Sequence, residues 1–358
     1  MTMKLGMFMM PLHPPEKSRT QGFDEDIEVV VRAEEMGFTE VWVGQHHTLA
    51  WEPLPSNDIF IASVIPRTKT IRLGPGVTIM PQHHPANVAV RLAMLDHLSR
   101  GRLMCGFGQG GVPTDWELFD LPDGKTQGLM TVEAIDMVLK LWQATAPFDF
   151  QGNFYRIRIQ NPIPELGMGE LLRPYQQPHP PIAMSIMKGQ SLAATMSGER
   201  GYIPLSTNLV PVSTVCAHWQ TYCAGAAAAG RPTPDRSIWR ISRSIYVGES
   251  NEEAWEHCLH GTFGRSLVYL ITILRQAKSL HLVKHDLSIP DDEVTPAYMM
   301  KELCVIGDRE SVTAQLRQLY DTTGGFGTLL MIAHDWDDKA KWLRSMQRLA
   351  HEVVPALP

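Results

Sequence analysis

Eight short β-rich runs, each followed by a longer segment whose apolar residues recur at three-to-four spacing, constrain most strongly what this chain can fold into. The runs lie at 4–10, 40–43, 71–79, 102–107, 181–185, 201–205, 238–247 and 327–333. The helical segments lie at 24–36, 57–66, 86–98, 128–145, 190–199, 211–229, 251–278, 309–323 and 338–353. Parallel strands need a crossover between them, so this alternation predicts a parallel sheet wrapped by helices. A doubly wound open sheet would read similarly. The count of units, the absence of GxGxxG after the first run, and the near-full-chain separation of the first and last runs favour a closed ring. The expected fold is α/β, a (β/α)8 TIM barrel forming one domain over residues 1–358. Two stretches break the rhythm, at 147–180 and 279–303, and are read as insertions of the kind that form lids or mobile segments. The first contains Phe150-Gln-Gly-Asn-Phe-Tyr, which alternates like a small hairpin.

Hydrophobic residues make up 44% of the chain, enough for a sizeable core. The formal charge of -6 comes from intermixed acids and bases, with no basic block to follow a phosphate backbone, so no nucleic-acid partner is expected. No apolar run approaches the roughly 18 residues of a membrane span, and the chain enters Lys4-Leu-Gly-Met-Phe-Met-Met without a charged leader. A cytoplasmic protein is the expectation. The five cysteines, Cys105, Cys216, Cys223, Cys258 and Cys304, are scattered and odd in number, which fits reduced thiols.

Chemistry concentrates at two strand ends. Val41-Trp-Val-Gly-Gln-His-His closes the second run, and Met80-Pro-Gln-His-His-Pro follows the third. Adjacent residues on an extended strand point to opposite faces, so His46 and His47 do not readily serve one atom or one metal unless the chain has already turned. No HxH stands on the first run and no carboxylate completes either pair at ligand spacing, so a metal-dependent hydrolase ranks low and no metal site is expected.

These segments carry a family resemblance. Gly37-Phe-Thr-Glu-Val-Trp-Val-Gly-Gln-His-His, Thr70-Ile-Arg-Leu-Gly-Pro-Gly-Val, His84-Pro and Leu95-Asp-His-Leu-Ser-Arg-Gly-Arg are similar to the bacterial luciferase-like, flavin-dependent monooxygenases. Gly106-Phe-Gly-Gln-Gly-Gly, Gly198-Glu-Arg-Gly and Thr323-Gly-Gly-Phe-Gly-Thr continue the pattern in order. Trp51-Glu-Pro-Leu-Pro, Thr233-Pro-Asp-Arg-Ser and Ala333-His-Asp-Trp-Asp-Asp resemble the limonene and diketocamphane monooxygenase branch. The resemblance implies a homodimeric barrel that takes FMN as FMNH2 from a separate reductase and reacts with O2 through a C4a-peroxyflavin. It also implies a small hydrophobic substrate, a cyclic ketone or a terpene-like compound. Two alternatives stay open: an F420-dependent oxidoreductase of the same superfamily, and a flavin-binding protein without turnover.

The resemblance also distributes roles. His46 matches the first family histidine and is the expected catalytic proton carrier, since imidazole titrates near working pH. Gln45 departs from the acidic residue of many relatives, and a neutral amide raises a neighbouring imidazole pKa less than a carboxylate does. Gly76–Val77 matches a site of non-proline cis peptides under the flavin ring, where glycine permits close approach. His84 matches the second family histidine and reads equally as a flavin neighbour or a helix-start residue ahead of Pro85. His83 is read as solvent-facing or structural. Gln109 takes the place of a basic flavin-contacting residue and supplies hydrogen bonds but no charge. Asp115 falls at a matching acidic position, where helix capping is an adequate reading. Lys188, Gly189, Gln190 and Ser191 stand where a strand gives way to a helix, a favourable place for the flavin phosphate, with capping by Ser191 as the plainer reading. Trp51, Phe107, Trp116 and Met184 are candidates for an apolar substrate pocket, and the nineteen methionines suit adaptable packing.

Overall fold

In the computed structural model, which describes residues 3–10 and 12–358, the inward residues of the strands alternate with residues buried under the helices. The first half runs β1 (Lys4–Met9), α1 (Arg19–Glu35), β2 (Glu40–Val43), α2 (Asn57–Val64), β3 (Arg72–Pro75), β4 (Thr78–Ile79), α3 (Pro85–Leu98), β5 (Cys105–Gly108), α4 (Pro113–Leu118) and α5 (Gly124–Gln143). A hairpin, β6 (Phe148–Gln151) and β7 (Arg156–Ile159), leads to β8 (Ile182–Ile186), α6 (Leu192–Arg200), β9 (Ile203–Ser206), α7 (Val212–Ala228), β10 (Arg240–Arg243) and β11 (Ile245–Val247). The last part is α8 (Asn251–His260), α9 (Thr262–Gln276), α10 (Pro296–Leu303), β12 (Val305–Gly307), α11 (Arg309–Thr323), β13 (Thr328–Ala333) and α12 (Lys339–Arg348). No helix among the described residues is long and apolar enough to cross a membrane.

Nine parallel strands follow the order β3-β2-β1-β13-β10-β9-β8-β5-β4. Since β3 and β4 are two halves of one stretch, separated by a cis Gly76–Val77 peptide, the sheet closes on itself as a (β/α)8 barrel. Met104 N–H donates to Leu73 O at 2.9 Å and Leu73 N–H to Arg102 O at 3.1 Å, stitching the seam below β4 and β5.

One residue parity fills the interior with Phe8, Trp42, Met104, Ala183, Ile203, Leu205, Leu330 and Ile332. The other parity, including Met7, Val41, Leu73, Phe107, Met184, Ile241 and Leu329, packs beneath the helices. Strands buried on both faces read as near-continuous apolar runs, which is why the eight units stand out in the sequence. At the amino-terminal end of the barrel Glu40, 3% exposed, accepts Arg240 Nε at 3.1 Å and Nη2 at 3.0 Å, and also Trp42 Nε1 at 2.8 Å. A two-pronged guanidinium–carboxylate pair satisfies both charges where water is excluded.

Several expected boundaries move for local reasons. The segment 251–278 divides at Gly261, where the Asp337 carboxylate accepts Thr262 N–H at 2.7 Å and starts a new helix. The run 238–247 leaves the barrel after Arg243, and Ile245–Val247 pairs instead with β12, a strand the sequence reading did not include. The stretch 147–180 holds the hairpin, with Glu133 accepting the N–H groups of Asn153, Phe154 and Tyr155 at its turn. The stretch 279–303 contains α10, capped by the Thr295 hydroxyl.

At the carboxyl-terminal mouth His13, 4% exposed, joins the first and last units. Its Nδ1 lies 2.6 Å from Asp335 Oδ1 beyond β13, and its Nε2 lies 3.2 Å from Asp26 Oδ1 on α1. Burial works against the charged ring, but Asp26 and Asp335 outweigh it and raise the His13 pKa to about 9. A folded pKa above the unfolded value contributes stability that is complete below about 6.5 and is lost as the pH rises through the folded value. The melting temperature of the native chain should therefore fall more between pH 7 and 9.5 than that of His13→Gln; parallel curves would remove this role. At the opposite end, Arg240→Met leaves Glu40 buried without its partner, and urea melts should show a loss of about 3–5 kcal/mol. A loss below about 1 kcal/mol would mean that water reaches Glu40.

Candidate active site

The turn that follows β2 is fixed by its backbone before any side chain acts. Gly44 N–H donates to Met9 O at 2.9 Å, and His46 N–H donates to Leu54 O at 2.9 Å, folding residues 44–56 back over the mouth. The two histidines then part. His46 Nε2 lies 3.2 Å from Glu52 Oε2 and its Nδ1 lies 3.7 Å from Asp115 Oδ2. His47 turns to Gln82, with Nε2 3.0 Å from Oε1, and sets its ring edge-on to Phe119.

Burial is the largest influence on His46 and lowers its pKa, yet Asp115 and Glu52 together reverse that, and the net direction is upward. The carboxylate that the sequence reading missed beside His46 at Gln45 is thus replaced by two from other places. Gln45 itself is buried and bonds only weakly to Gln82, at 3.4 Å. Asp115 does not cap α4, whose N-cap is Val112; it reaches across to the β2 turn. There it accepts Thr48 Oγ1 at 2.6 Å and His47 N–H at 3.3 Å. Burial pushes Asp115 up, but His46 and these donors hold it down at about 2. Glu52 moves the other way, raised by burial against the smaller pull of His46 and Tyr269.

Beside this cluster the floor of the mouth is bare backbone. Gly44, Gly76 and Gly108 lie at the ends of neighbouring strands, and a Cβ on Gly76 would sit 2.9 Å from Trp42 Cβ, one on Gly108 2.6 Å from Val77 Cγ2. The cis Gly76–Val77 peptide is clasped by Asn57 at the start of α2, whose amide donates to Val77 O at 3.0 Å and Val43 O at 3.2 Å. Val77 is half-buried at this floor. Buried polar atoms without partners stand near the same turn: His46 Nδ1, Gln82 Nε2 and Trp116 Nε1.

The remaining candidates fall around the rim or outside it. Trp51 stacks on Tyr269 of α9 with centroids 5.5 Å apart, and Trp116 is half-buried on α4. Gln109 is exposed beyond β5, its amide oxygen facing Gly128 of α5. His84 is exposed and caps α3, its Nδ1 accepting Ala86 N–H at 3.3 Å. Burial lowers the neighbouring His83 to about 4, so His83 is neutral near pH 7 and partly enclosed rather than solvent-facing. Lys188 and Gln190 are exposed, Gly189 O accepts Thr221 Oγ1 at 2.8 Å, and Ser191 caps α6 by accepting Ala194 N–H at 3.2 Å.

Two pocket expectations are corrected. Phe107 and Met184 belong to the layer under the helices, since Gly106 and Gly108 on β5, and Ala183 on β8, take the inward positions. Three residues of the site escaped the sequence reading: Glu52, Asn57 and Tyr269. An acid set between Trp51 and Pro53 was a signal for Glu52; Tyr269 had none, because only the fold of α9 brings it there. Among the described residues, the group spaced to hold a metal is His13, Glu25 and Asp335, and the Lys17 ammonium already lies between its carboxylates.

Known proteins are similar to this chain over nearly its whole length. A 4-hydroxyprotoasukamycin monooxygenase from Streptomyces nodosus subsp. asukaensis is 30% identical, the match covering 98% of this chain and 91% of the relative. Limonene 1,2-monooxygenase from Rhodococcus erythropolis is also 30% identical, over 98% of this chain and 85% of the relative. The oxygenating constituent of 3,6-diketocamphane monooxygenase from Pseudomonas putida, a type II Baeyer–Villiger monooxygenase solved with FMN, superposes with a TM-score of 0.92 at 27% identity, covering 100% of this chain and 99% of that one. The family model for luciferase-like monooxygenases matches residues 3–325, and the chain belongs to that family.

Proposed function

We propose that this chain is the oxygenase component of a two-component system that takes FMNH2 from a separate reductase and oxygenates a small hydrophobic cyclic ketone or terpene-like compound. The observation that carries the reading is the pairing of a glycine-lined floor with a half-buried, carboxylate-flanked His46 at its edge. Reduced FMN, when bound, supplies the electrons that activate dioxygen, so the protein's tasks are binding, orientation, exclusion of water and control of protons.

Residues fit those tasks one by one. Gly76 and Val77 offer a flat backbone surface to a planar ring, and Gln109 and His84 offer polar contacts at its border. Lys188, Gly189, Gln190 and Ser191 open α6, where free N–H groups and the helix dipole favour a dianion. Ser191 accepts the capping bond, which leaves its hydroxyl proton for a phosphate oxygen. Trp51 and Trp116 give apolar walls to the substrate side. His46 holds a proton at the edge of the floor, with Nδ1 free of any hydrogen bond. We read the chain as one folding unit and as a homodimer, joined through the apolar stripe of Ile59 on α2 with Val90, Met94 and Leu98 on α3, which are 71%, 38%, 57% and 50% exposed.

Anaerobic mixing with photoreduced FMN followed by an oxygen pulse tests the central claim. Bound reduced FMN should reoxidise more slowly than free FMN, labelled oxygen from O2 should enter a bicyclic ketone or cyclic alkene, and His46→Ala should cut product formation by about 100-fold or more. Reoxidation at the free rate, together with binding of F420, would move the protein to the F420-dependent oxidoreductases. For the phosphate site, Lys188→Ala should weaken FMN by about tenfold while leaving riboflavin, which lacks the phosphate, unchanged. Equal losses for both flavins would place the phosphate elsewhere. Light scattering should give twice the chain mass, falling to one chain mass in Met94→Glu; a native monomer would discard the dimer.

A further inference from the structure

Among the described residues, two of the buried polar atoms of the site that lack an aligned partner are His46 Nδ1 and Glu52 Oε2. They stand on opposite sides of one ring, since Nε2 faces Glu52 Oε2 at 3.2 Å while Nδ1 is left open at 3.7 Å from Asp115. An unmatched oxygen on a carboxyl side chain that is only 4% exposed is costly, and a proton held between it and Nε2 removes that cost.

The two carboxylates differ in what satisfies them. Asp115 accepts a hydroxyl and a backbone N–H and so is provided for as an anion. Among the described residues, the Glu52 carboxyl accepts one aligned hydrogen bond, from the Tyr269 hydroxyl at 3.5 Å. The titratable and charged groups that face Glu52 are His46 on the β2 turn, Asp115 on α4 and Tyr269 on α9. His47 is turned to Gln82, and Arg265 of α9 lies over Trp51 and pairs with Glu16 at 2.7 Å, so neither neutralises it.

We propose that Glu52 is a positioning residue that acts through His46: it fixes the ring by Nε2 and serves as the store from which His46 is resupplied with a proton. The inference rests on the reading of His46 as the proton carrier. The transfer conserves protons and electron pairs. As the Nδ1–H bond breaks and its proton passes to an oxygen of the bound ligand, the Oε2–H bond of Glu52 breaks and an Nε2–H bond forms. The ring stays neutral, having exchanged one tautomer for the other, and the charge appears on Glu52. Tyr269 then donates to that new carboxylate, and the pair is reset when a solvent proton binds Nδ1, the Nε2–H bond breaks and its proton returns to Glu52 Oε2. Burial raises Glu52 in the direction this role requires, while Asp115 stays ionised.

The test is a nitrogen NMR titration of the full chain, labelled in histidine and free of flavin, with His46 assigned by loss of its signals in His46→Gln. In the native protein the His46 tautomer and midpoint should depend on Glu52. Glu52→Gln, which has no carboxyl proton to give to Nε2, should change the tautomer ratio and shift the midpoint of the ring. Tyr269→Phe, a milder change should Glu52→Gln fail to fold, should shift the same midpoint by removing the donor that favours ionised Glu52. With FMN and reductase added, Glu52→Gln should displace the pH profile of turnover while leaving KM for the substrate unchanged. An identical His46 midpoint and tautomer ratio in folded Glu52→Gln, or in Tyr269→Phe where the former does not fold, would overturn the proposal without touching the oxygenase reading. A shifted midpoint in a protein that oxygenates nothing would leave the pair standing and remove the oxygenase.

Discussion

The indole of Trp42 sets the shape of the barrel interior. It is wholly buried, and a Cβ on Gly74 would lie 2.9 Å from its Cζ3, one on Gly76 2.9 Å from its Cβ, and one on Gly106 3.4 Å from its Cζ3. A close-packed interior has no slack for such additions, so the largest side chain of β2 is matched by glycines on β3, just beyond it and on β5. Its Nε1–H goes to Glu40, which Arg240 neutralises from across the barrel. The polar end of the indole is thereby tied to the amino-terminal layer. Without that tie, a buried indole N–H would stand unpaired.

The same packing produces the site. Because Trp42 fills the volume beneath them, Gly74 and Gly76 have no room for a Cβ, and Gly44, Gly76 and Gly108 present backbone at the strand ends. Asn57 then fixes the heights of β2 and the cis peptide by bonding to Val43 O and Val77 O together. His46 starts from this surface, held by its own N–H to Leu54, so its ring is positioned by backbone bonds before either carboxylate contributes. Precision at a proton-transfer site depends on such support, since displacement of about 1 Å is costly in rate.

Much of this could be read from the residues, and what could not has a common cause. Strands buried on both faces stand out as apolar runs, and 40–43 coincides with the observed β2. Helix starts were legible where a capping residue precedes the periodic segment, as Ser191 and Asp308 do. His46 and Gly76 were singled out through motifs at strand ends, and both lie at the mouth of the barrel. Phe107 and Met184 were misplaced because residue type was weighed without parity; Gly106, Gly108 and Ala183 on the alternate positions signal which face turns inward. Helix α10 and strand β12 were hidden by the prolines and acids before them, which read as a loop although Pro296 merely opens a helix. Glu52 and Tyr269 lie 217 positions apart, and no local pattern records a contact of that span.

On the proposed function, that long-range contact would also link substrate space to proton chemistry. Trp51 and Glu52 are consecutive, so the wall that would meet an apolar substrate and the carboxyl that faces His46 move with one backbone. Tyr269 engages both, stacking on Trp51 at 5.5 Å and bonding to Glu52 at 3.5 Å, while the Arg265 guanidinium also lies over the same indole. A ligand that displaces Trp51 must alter the Tyr269 hydroxyl's approach to Glu52 as well. On the proposed function, the fit of a substrate against Trp51 and the readiness of His46 to exchange a proton would be set by one stack of side chains.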